Sequence, residues 1–306
     1  MEEPARPAGT RLPLPWIALA TNARAILWML LGAACVVAMS AVIKHVSREL
    51  PVAVVFLFRM AFAIPLVLPW VAWDGFKILH TRRLKSHFAR GTVGALSMWC
   101  WVFGVKYLPL TTFTAISFTR PLWTTLTAWL VLREVVGRRR GMLTLVGFAG
   151  VVMVVRPALD AQLAVLVALL GGAVSSLTLV QVKQLATTEP AARIVFYFSL
   201  FGTLYALPFA IMAWTTPSLP QLGWLALAAI AAASAQYCVA RAAALGDATL
   251  ITPVDFMQLP FAAIVGFALF SELPNLLTIA GSVVIVSVVF AIVHVERRRR
   301  MRPPSS

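Results

Sequence analysis

The sequence predicts an all-α polytopic membrane protein, with ten transmembrane helices arranged as two inverted five-helix repeats. The first observation is composition: 60% of the 306 residues are hydrophobic and only 12% are charged, whereas a soluble domain carries about 25% charged residues. The second is a set of ten apolar stretches long enough to cross a bilayer, which takes about 20 residues at 1.5 Å each. The third is an internal repeat of those stretches. The same hydrophobicity excludes a disordered chain.

The ten stretches are rich in Ala and Leu and lack alternating polarity, which argues against membrane β-strands. Proline, glycine and charged residues separate each stretch from the next. The predicted spans are 26–46, 51–73, 88–107, 110–132, 140–156, 161–183, 191–214, 220–244, 247–270 and 275–294.

The distribution of Lys and Arg predicts the orientation of the spans. With both termini in the cytoplasm, 20 of the 26 Lys and Arg residues lie on the cytoplasmic side and 4 on the outer side, while Arg59 and Arg120 lie inside spans. We therefore expect a multi-pass membrane protein with an even number of spans and both termini cytoplasmic. The formal charge of +15 then reflects topology and contact with anionic lipids. We expect no nucleic-acid partner, because no nucleic-acid-binding motif accompanies the basic blocks.

The spans divide the chain into two repeats and two tails. The first tail is not expected to be a signal peptide, because Glu2 and Glu3 stand where a signal peptide carries positive charge. The predicted segments are a cytoplasmic tail at 1–25, a first repeat at 26–156, a second repeat at 157–294 and a basic cytoplasmic tail at 295–306.

The two repeats match at a separation of 138 to 140 residues. The segment GAACVVAMSAVIK, starting at Gly32, matches GGAVSSLTLVQVK, starting at Gly171, and residues 111–134 match 249–272 with a glutamate at the end of each. Each repeat holds five spans, an odd number, so the two copies must cross the bilayer in opposite directions. Inverted repeats are typical of transporters that bind substrate near the midplane between the halves.

The matched segments also carry a family resemblance. GVKYLPLTTFTAISFTRPLWTTLTAWLVLRE followed by GFAGVVMVVRP, and later RAAALGDATLITPVDFMQLPFAAIVGFALFSELP, resemble the two halves of the drug/metabolite transporter superfamily, EamA type. The resemblance covers residues 26–294. It implies cytoplasmic termini, a central cavity formed mainly by helices 1, 3, 4, 6, 8 and 9, and a small metabolite as cargo. The sequence around ISFTRPLW and PVDFMQLPFAA is most similar to that of S-adenosylmethionine and general metabolite carriers.

Two ionisable residues deep in spans are the main functional candidates, since each costs about 2.5–3.5 kcal/mol to insert. Helix rise places Arg120 roughly 15 Å below the outer end of span 4 and Asp255 about 12 Å above the inner end of span 9. If both face one cavity, Arg120 binds an anionic group such as a carboxylate. Asp255 then binds an ammonium or sulfonium group, or carries a proton. The alternative is a buried ion pair that locks the repeats together, and the sequence leaves both open.

Aromatic and amide side chains near these charges complete the predicted site. Aromatic residues of the spans, Trp99 and Trp101 among them, can stack on an aromatic or cationic substrate. The predicted substrate-binding residues are Arg120, Asp255, Gln258, Ser117, Trp99, Tyr237 and Gln236.

Other unusual residues of the spans are expected to have mechanical roles. Arg59 is predicted to serve packing or gating. Pro121 and Pro260 are predicted to serve the same roles, because proline frees backbone carbonyls and bends spans 4 and 9. Lys44 lies near the end of span 1, where we expect its side chain to snorkel.

Other functional classes lack their motifs. There is no GxxxxGK[ST], no HExxH and no GxGxxG at the start of a soluble helix, and one deep acid does not make an intramembrane protease. We therefore expect a secondary-active carrier, monomeric or homodimeric, with no cofactor or metal, driven by exchange or a proton gradient. The alternative class is a non-transporting membrane scaffold or lipid-binding protein with the same fold.

Overall fold

The structure of the protein is a computed structural model, which describes residues 15–67, 75, 79–130, 138–155, 162–186, 188–245 and 254–300. These residues form eleven α-helices and a short 3₁₀ helix at Pro65–Val67, and no β-strand occurs among them. The helices are α1 Pro15–Val46, α2 Val52–Ala61, α3 Leu84–Tyr107, α4 Leu110–Ser117, α5 Arg120–Leu130, α6 Arg138–Val155, α7 Gln162–Ala186, α8 Ala191–Met212, α9 Leu219–Leu245, α10 Gln258–Phe270 and α11 Leu276–Arg300.

Helices α4 and α5 together occupy predicted span 4, and every other helix occupies one predicted span. Two boundaries differ by more than a few residues. Helix α1 begins at Pro15 rather than at residue 26, and proline is well tolerated in the first turn of a helix. Helix α2 ends at Ala61 because Pro65 has no N–H to donate to the Ala61 carbonyl. The chain leaves α2 through turns with i→i−3 bonds, such as Ile64 N to Ala61 O at 3.1 Å.

Span 4 is interrupted between α4 and α5. The backbone there tightens into i→i−3 hydrogen bonds: Thr119 N donates to Ile116 O at 3.0 Å, and Leu122 N donates to Thr119 O at 2.8 Å. Pro121 explains the break, because its ring has no N–H and clashes with the carbonyl four residues earlier, which belongs to Ser117, the last residue of α4.

Span 9 is interrupted in the same way. A helical stretch at 254–255 is followed by a turn at 256–257 and then by α10. Met257 N donates to Val254 O at 3.0 Å, and Leu259 N donates to Phe256 O at 3.0 Å. Pro260 lies four residues after Phe256 and supplies the same physical cause. The start of predicted span 9, residues 247–253, lies outside the described residues.

The helices pack in seven extensive pairs. Helix α1 packs on α9, α6 on α11, α3 on both α7 and α8, α2 on α8, α5 on α7, and α4 on α10. In span numbers these pairs are 1 with 8, 5 with 10, 3 with 6, 3 with 7, 2 with 7, 4 with 6, and 4 with 9. Exchanging each span for its counterpart five spans away always gives a pair that also packs, including 2 with 8 and 1 with 9. Helices α6 and α11 approach most closely at small residues, since a Cβ on Gly281 would lie 2.6 Å from Gly150 O.

Three helical segments of the described chain are by themselves long and apolar enough to cross a membrane: Ala23–Val46, Arg193–Met212 and Leu219–Val239. Five shorter segments are also apolar: Val52–Ala61, Gly141–Val155, Gln162–Thr178, Gln258–Phe270 and Leu276–Ile292. Helices α2 and α4 are deeply enclosed, with every side chain from Val52 to Leu57 and from Leu110 to Ile116 buried. A helix that is apolar on all sides is expected at the centre of a bundle.

A buried carboxylate joins two loops at the predicted cytoplasmic side, outside the predicted spans. Glu189 accepts hydrogen bonds from Thr81 Oγ1 at 2.8 Å and from Arg193 Nη1 at 2.5 Å. His87 lies 3.6 Å from the same carboxylate. Burial raises the pKa of Glu189, but the hydrogen bonds from Arg193 and Thr81 more than offset it, so the pKa lies below its ordinary value. Glu189 therefore holds the start of α8 against the segment that precedes α3.

Candidate functional site

The interruptions in spans 4 and 9 meet in the folded chain. Phe118 lies in the first break and Phe256 in the second, and their ring centroids are 4.7 Å apart at an interplanar angle of 43°. The repeat alignment pairs these two phenylalanines at a separation of 138 residues. The structure thus brings the two predicted charges, Arg120 and Asp255, to neighbouring parts of the bundle.

Arg120 is the first residue of α5 and its side chain is exposed. Its Nε donates to Ser175 Oγ on α7 at 3.2 Å. A cation at the N-terminus of a helix is opposed by the helix dipole, so this position is not explained by helix stability. The same dipole adds to the positive potential that an anion would meet at the guanidinium.

Asp255 immediately precedes Phe256 in the sequence and lies directly before the break in span 9. Its Oδ1 accepts a hydrogen bond from Gln258 Nε2 at 2.5 Å. The carboxylate and the Arg120 guanidinium attract each other, but among the described residues they do not form an ion pair within 4.0 Å. Within the described part of the chain, each of these two charges is thus hydrogen-bonded to a neutral side chain and not to the other charge.

Beside Arg120 lies a small open-sided cleft of about 30 Å³ between α3, α4, α5 and α7, which is room for one or two water molecules. Ser117, a predicted site residue, lines it. The lining consists of Ser97, Trp101, Phe113, Ser117, Arg120, Ala168, Gly171, Gly172 and Ser175. Three hydroxyl groups, one guanidinium and one indole thus converge on a small space otherwise bounded by apolar atoms.

Two glycines of α7 allow these walls to come together. A Cβ on Gly171 would lie 2.8 Å from Cys100 Cβ of α3. A Cβ on Gly172 would lie 3.1 Å from Trp123 Nε1 of α5. A side chain at Gly171 would force α7 away from α3, and one at Gly172 would press on Trp123; the close approach of α7 brings Ser175 within reach of Arg120.

The other predicted substrate-binding residues lie away from this cleft. Trp99 packs in the core between Phe56 and Phe209, with ring centroids 5.6 Å and 5.3 Å away. Tyr237 and Gln236 are exposed on α9, and the Tyr237 ring meets the edge of Trp28 of α1 at 5.7 Å. The structure brings neither aromatic residue to Arg120.

Arg59 of α2, the predicted packing or gating residue, has no carboxylate partner among the described residues. Its Nη2 contacts Met39 Sδ at 4.0 Å. Its Nε is buried without an acceptor in the described part of the chain. The hydrogen-bond partner that the described residues offer this side chain lies on the first helix, and a packing or gating role for Arg59 stays a prediction.

Sequence reasoning selected Trp99 where Trp101 lines the cleft, and it missed Ser97 and Ser175. Residues two apart on a helix face nearly opposite sides, so only one of the two tryptophans can face the cleft. The i, i+4 spacing of Ser97 and Trp101 was the available signal, since it places a hydroxyl and an indole on one face of α3.

A second pair of opposite charges lies at the predicted outer end of the bundle. Lys44 of α1 forms an ion pair with Glu272, which follows α10, and Lys44 Nζ also donates to Leu108 O at 2.6 Å. Glu272 Oε2 accepts from Leu110 N, the first N–H of α4, at 2.7 Å. Lys44 is only 7% exposed, so the prediction that it snorkels is wrong: its charge is neutralised inside the protein by a residue of the other half.

The backbone at the end of α10 presents Glu272 to these partners. Ser271 is the one non-glycine residue of the described chain with a positive φ, 57°, and it ends α10 in the left-handed conformation typical of a helix C-terminus. Glu272 N then donates back to Gly266 O at 3.0 Å. A Cβ on Gly266 would lie 3.2 Å from Glu272 Oε2, so the glycine leaves room for the carboxylate.

Comparison with known proteins identifies the family. Residues 23–156 and 162–294 each match the EamA-like transporter family. The chain belongs to that family. The family that the sequence predicts is thus confirmed, and with it the class of membrane transport proteins.

This EamA-like protein has several similar relatives. It is 28% identical to the S-adenosylmethionine uptake transporter of Rickettsia prowazekii, covering 92% of this chain and 96% of the relative. It is 30% identical to the riboflavin transporter of Vibrio cholerae, covering 86% and 91%. It is 28% identical to a pseudopaline exporter of Pseudomonas aeruginosa, covering 85% and 92%. A protein of known crystal structure shares the fold, with a TM-score of 0.58 and 16% identity over 94% of this chain and 99% of its own.

Proposed function

We propose that this EamA-like protein is a secondary-active transporter of a small zwitterionic or cationic metabolite, an amino acid or S-adenosylmethionine among them. It operates by alternating access between two inverted five-helix repeats. It lies in the bacterial inner membrane with both termini cytoplasmic and its basic face on anionic lipids, as a monomer or homodimer. The observation that carries the proposal is Arg120, a cation in a membrane protein that faces a cleft without a carboxylate bound to it.

The helix pairs support the inverted repeat. Each of the seven most extensive pairs of packed spans maps onto another packed pair, or onto itself, when spans five apart are exchanged. The breaks that follow from Pro121 and Pro260 also meet each other, through Phe118 and Phe256. Discontinuous helices at the interface of two repeats are the usual place for a transported substrate.

Asp255 is the proposed coupling group. It is the one deep acid that the sequence supplies, and its Oδ1 is held by Gln258 while its charge attracts Arg120. A substrate cation can neutralise this carboxylate in the loaded half-cycle, and a proton can neutralise it in the half-cycle that returns the empty carrier. The names of the relatives, which include an uptake protein and an exporter of small organic molecules, support a metabolite as the cargo.

The first experiment is a thermal-shift panel on the purified full chain in detergent, followed by uptake into proteoliposomes. The panel contains S-adenosylmethionine, amino acids, riboflavin and organic cations. A ligand present at about 100 times its dissociation constant stabilises the folded state by about 2.7 kcal/mol. A panel that leaves the melting temperature unchanged, together with no uptake of any compound, overturns the proposal and favours the non-transporting scaffold.

Asp255→Asn tests the coupling. We expect the variant to lose accumulation driven by a pH gradient, while equilibrium exchange of labelled for unlabelled substrate continues, because the neutral amide cannot take up a proton. Gradient-driven uptake and counterflow are measured on the same vesicles, with Arg241→Ala, an exposed charge on α9, as the control. Undiminished gradient-driven uptake in Asp255→Asn would exclude Asp255 as the proton carrier.

A further inference from the structure

A pocket of about 180 Å³ opens at the predicted outer face, where the end of α1 lies beside the start of α9. Its walls include His45 and Glu49 on the α1 side, and Gln221 and Trp224 on the α9 side. One water molecule needs about 10–15 Å³ of such space, so this pocket can admit a small organic group. The cleft beside Arg120, with about 30 Å³, cannot.

The carboxylate of Glu49 is held in place by Gln221. Gln221 Nε2 donates to Glu49 Oε2 at 2.5 Å, and Gln221 Oε1 accepts from Ser218 N at 2.8 Å, just before α9 begins. Both ends of the amide are thus engaged, and the amide joins the start of α9 to the loop that follows α1. Glu49 Oε1 has no hydrogen-bond partner among the described residues, so one carboxylate oxygen remains free for a ligand.

The basic residues around Glu49 bind other groups. Arg48 precedes it in the sequence, but the Arg48 guanidinium lies over the ring of Phe270 of α10, 4.9 Å from its centroid. Lys106 Nζ donates to Leu50 O at 3.3 Å. Within the described part of the chain, Glu49 forms no ion pair within 4.0 Å. The protein therefore leaves the negative charge of this pocket without a cation.

An aromatic wall stands beside this carboxylate. Trp224 lies three residues after Gln221, on the same face of α9, and 42% of it is exposed. The edge of its ring system meets the imidazole of His45, with centroids 5.7 Å apart at an angle of 69°, and this contact holds the indole at the pocket. A carboxylate and the face of a tryptophan together attract a positively charged organic group, and tryptophan is the aromatic side chain best suited to this role.

The same residues do not favour a metal ion. The described residues contain no group of three or more His, Cys, Asp or Glu side chains that could hold one, whereas protein metal sites usually supply at least three ligands. The indole adds no ligand, and the volume exceeds what a single ion fills. The pocket is therefore better suited to an organic cation.

We propose that this outer pocket binds an organic cation through its ammonium or sulfonium group. Glu49 supplies the opposite charge, Gln221 orients the carboxylate, and the Trp224 ring supplies an aromatic face. This site goes beyond the proposed function, which requires only the central site between the repeats. A cationic metabolite that crosses the membrane in either direction would meet the pocket at the outer face.

The test follows the tryptophan of the pocket directly. The full chain is labelled with fluorotryptophan at its 10 tryptophans and studied in detergent by fluorine NMR, and Trp224→Phe assigns the Trp224 resonance. We expect choline to shift this resonance saturably, and its neutral analogue, with carbon in place of the ammonium nitrogen, to leave it unchanged. The Trp214 resonance, assigned in the same way, is the control, because Trp214 is similarly exposed, at 48%, but lies outside the pocket. An equal response to both compounds overturns the proposal.

Two substitutions of Glu49 show whether its charge holds the ligand. In Glu49→Gln the amide oxygen can still accept from Gln221, so the contact between α1 and α9 is kept while the charge is lost. The half-saturating concentration of choline should rise roughly two- to fivefold, the worth of one exposed ion pair, and Glu49→Lys should abolish the response. Unchanged titration curves in both variants would overturn the proposal.

Asp255→Asn separates the outer pocket from the central site. The response of Trp224 to choline should persist in this variant, because Asp255 lies at the break in span 9 and not in the pocket. A response lost in Asp255→Asn and kept in Glu49→Gln would place the cation at the centre, which overturns the outer site and leaves the transport function standing. A response lost in Glu49→Gln, with no compound taken up by proteoliposomes, would support the outer site and overturn the transport function.

Discussion

Two pairs of opposite charges lie between the halves of the described chain, and only one of the two forms an ion pair in direct contact. At the predicted outer end, Lys44 and Glu272 form an ion pair. Lys44 also donates a hydrogen bond to Leu108 O, and Glu272 accepts one from Leu110 N. Near mid-depth, Arg120 and Asp255 attract each other but bind Ser175 and Gln258 instead. The buried pair is complete, whereas the central pair retains donors that no described residue uses.

The difference shows why the same residue types serve different purposes. A buried ion pair is costly unless its geometry and its additional hydrogen bonds compensate for lost hydration. The outer pair meets that condition, so its role is to hold α1, α4 and α10 together at one end. Among the described residues the central charges do not meet that condition, and we expect a zwitterionic substrate to meet it.

The largest expected effect comes from breaking the outer pair. Lys44→Met or Glu272→Gln should lower the free energy of unfolding in detergent by about 3–5 kcal/mol, because each leaves a buried charge without its partner. Chemical denaturation measures the change, with the exposed Lys85→Met as control. The double variant should recover part of the loss; additive losses would show that the two side chains are not coupled.

A smaller change in stability, and a large change in binding, is expected at the centre. Arg120→Ala should change the free energy of unfolding by less than about 1 kcal/mol, while ligand affinity falls by roughly 10- to 150-fold, the worth of hydrogen bonds to a charged group. Denaturation and ligand-dependent thermal shifts are measured on the same preparation. A loss of stability as large as that at Lys44, relieved by Asp255→Asn, would show that the central pair is a second lock.

The smallest effect concerns the turn that presents Glu272. Ser271→Gly should raise the free energy of unfolding by about 1 kcal/mol, because a residue with a Cβ pays roughly 1–2 kcal/mol for the left-handed conformation. The melting temperature of the purified protein checks this, and Ser271→Val, with a β-branched side chain, should lower it. No gain with glycine would mean that the Ser271 side chain itself contributes to the turn.

Much of the fold followed from local sequence. Apolar runs located the helices, and Pro121 and Pro260 marked the two breaks, because a proline disrupts the backbone within four residues of itself. Pro65 could equally have predicted the end of α2 at Ala61. The prediction extended the span to residue 73 instead, because the apolar run continues that far and hydrophobicity alone does not end a helix.

The site was harder to predict from the sequence than the fold. Arg120 and Asp255 stood out because charge inside an apolar run is rare. Trp99 was preferred to Trp101 without any local reason to do so, because which face of α3 meets the cleft depends on how α3 packs against α7. Lys44 looked like a residue that reaches the membrane surface, and its partner lies in the other half of the chain.

The sequence by itself determined that the chain is a helical membrane protein of the EamA-like family, where its spans lie and where two of them break. Hydrophobicity and proline stereochemistry act over a few residues, so their effects can be predicted without a structure. The tertiary structure decided which charges pair and which remain open. Those contacts join segments as far apart as Leu110 and Glu272, separated by 162 residues, and they depend on helix rotation and close approach at glycines such as Gly172 and Gly266.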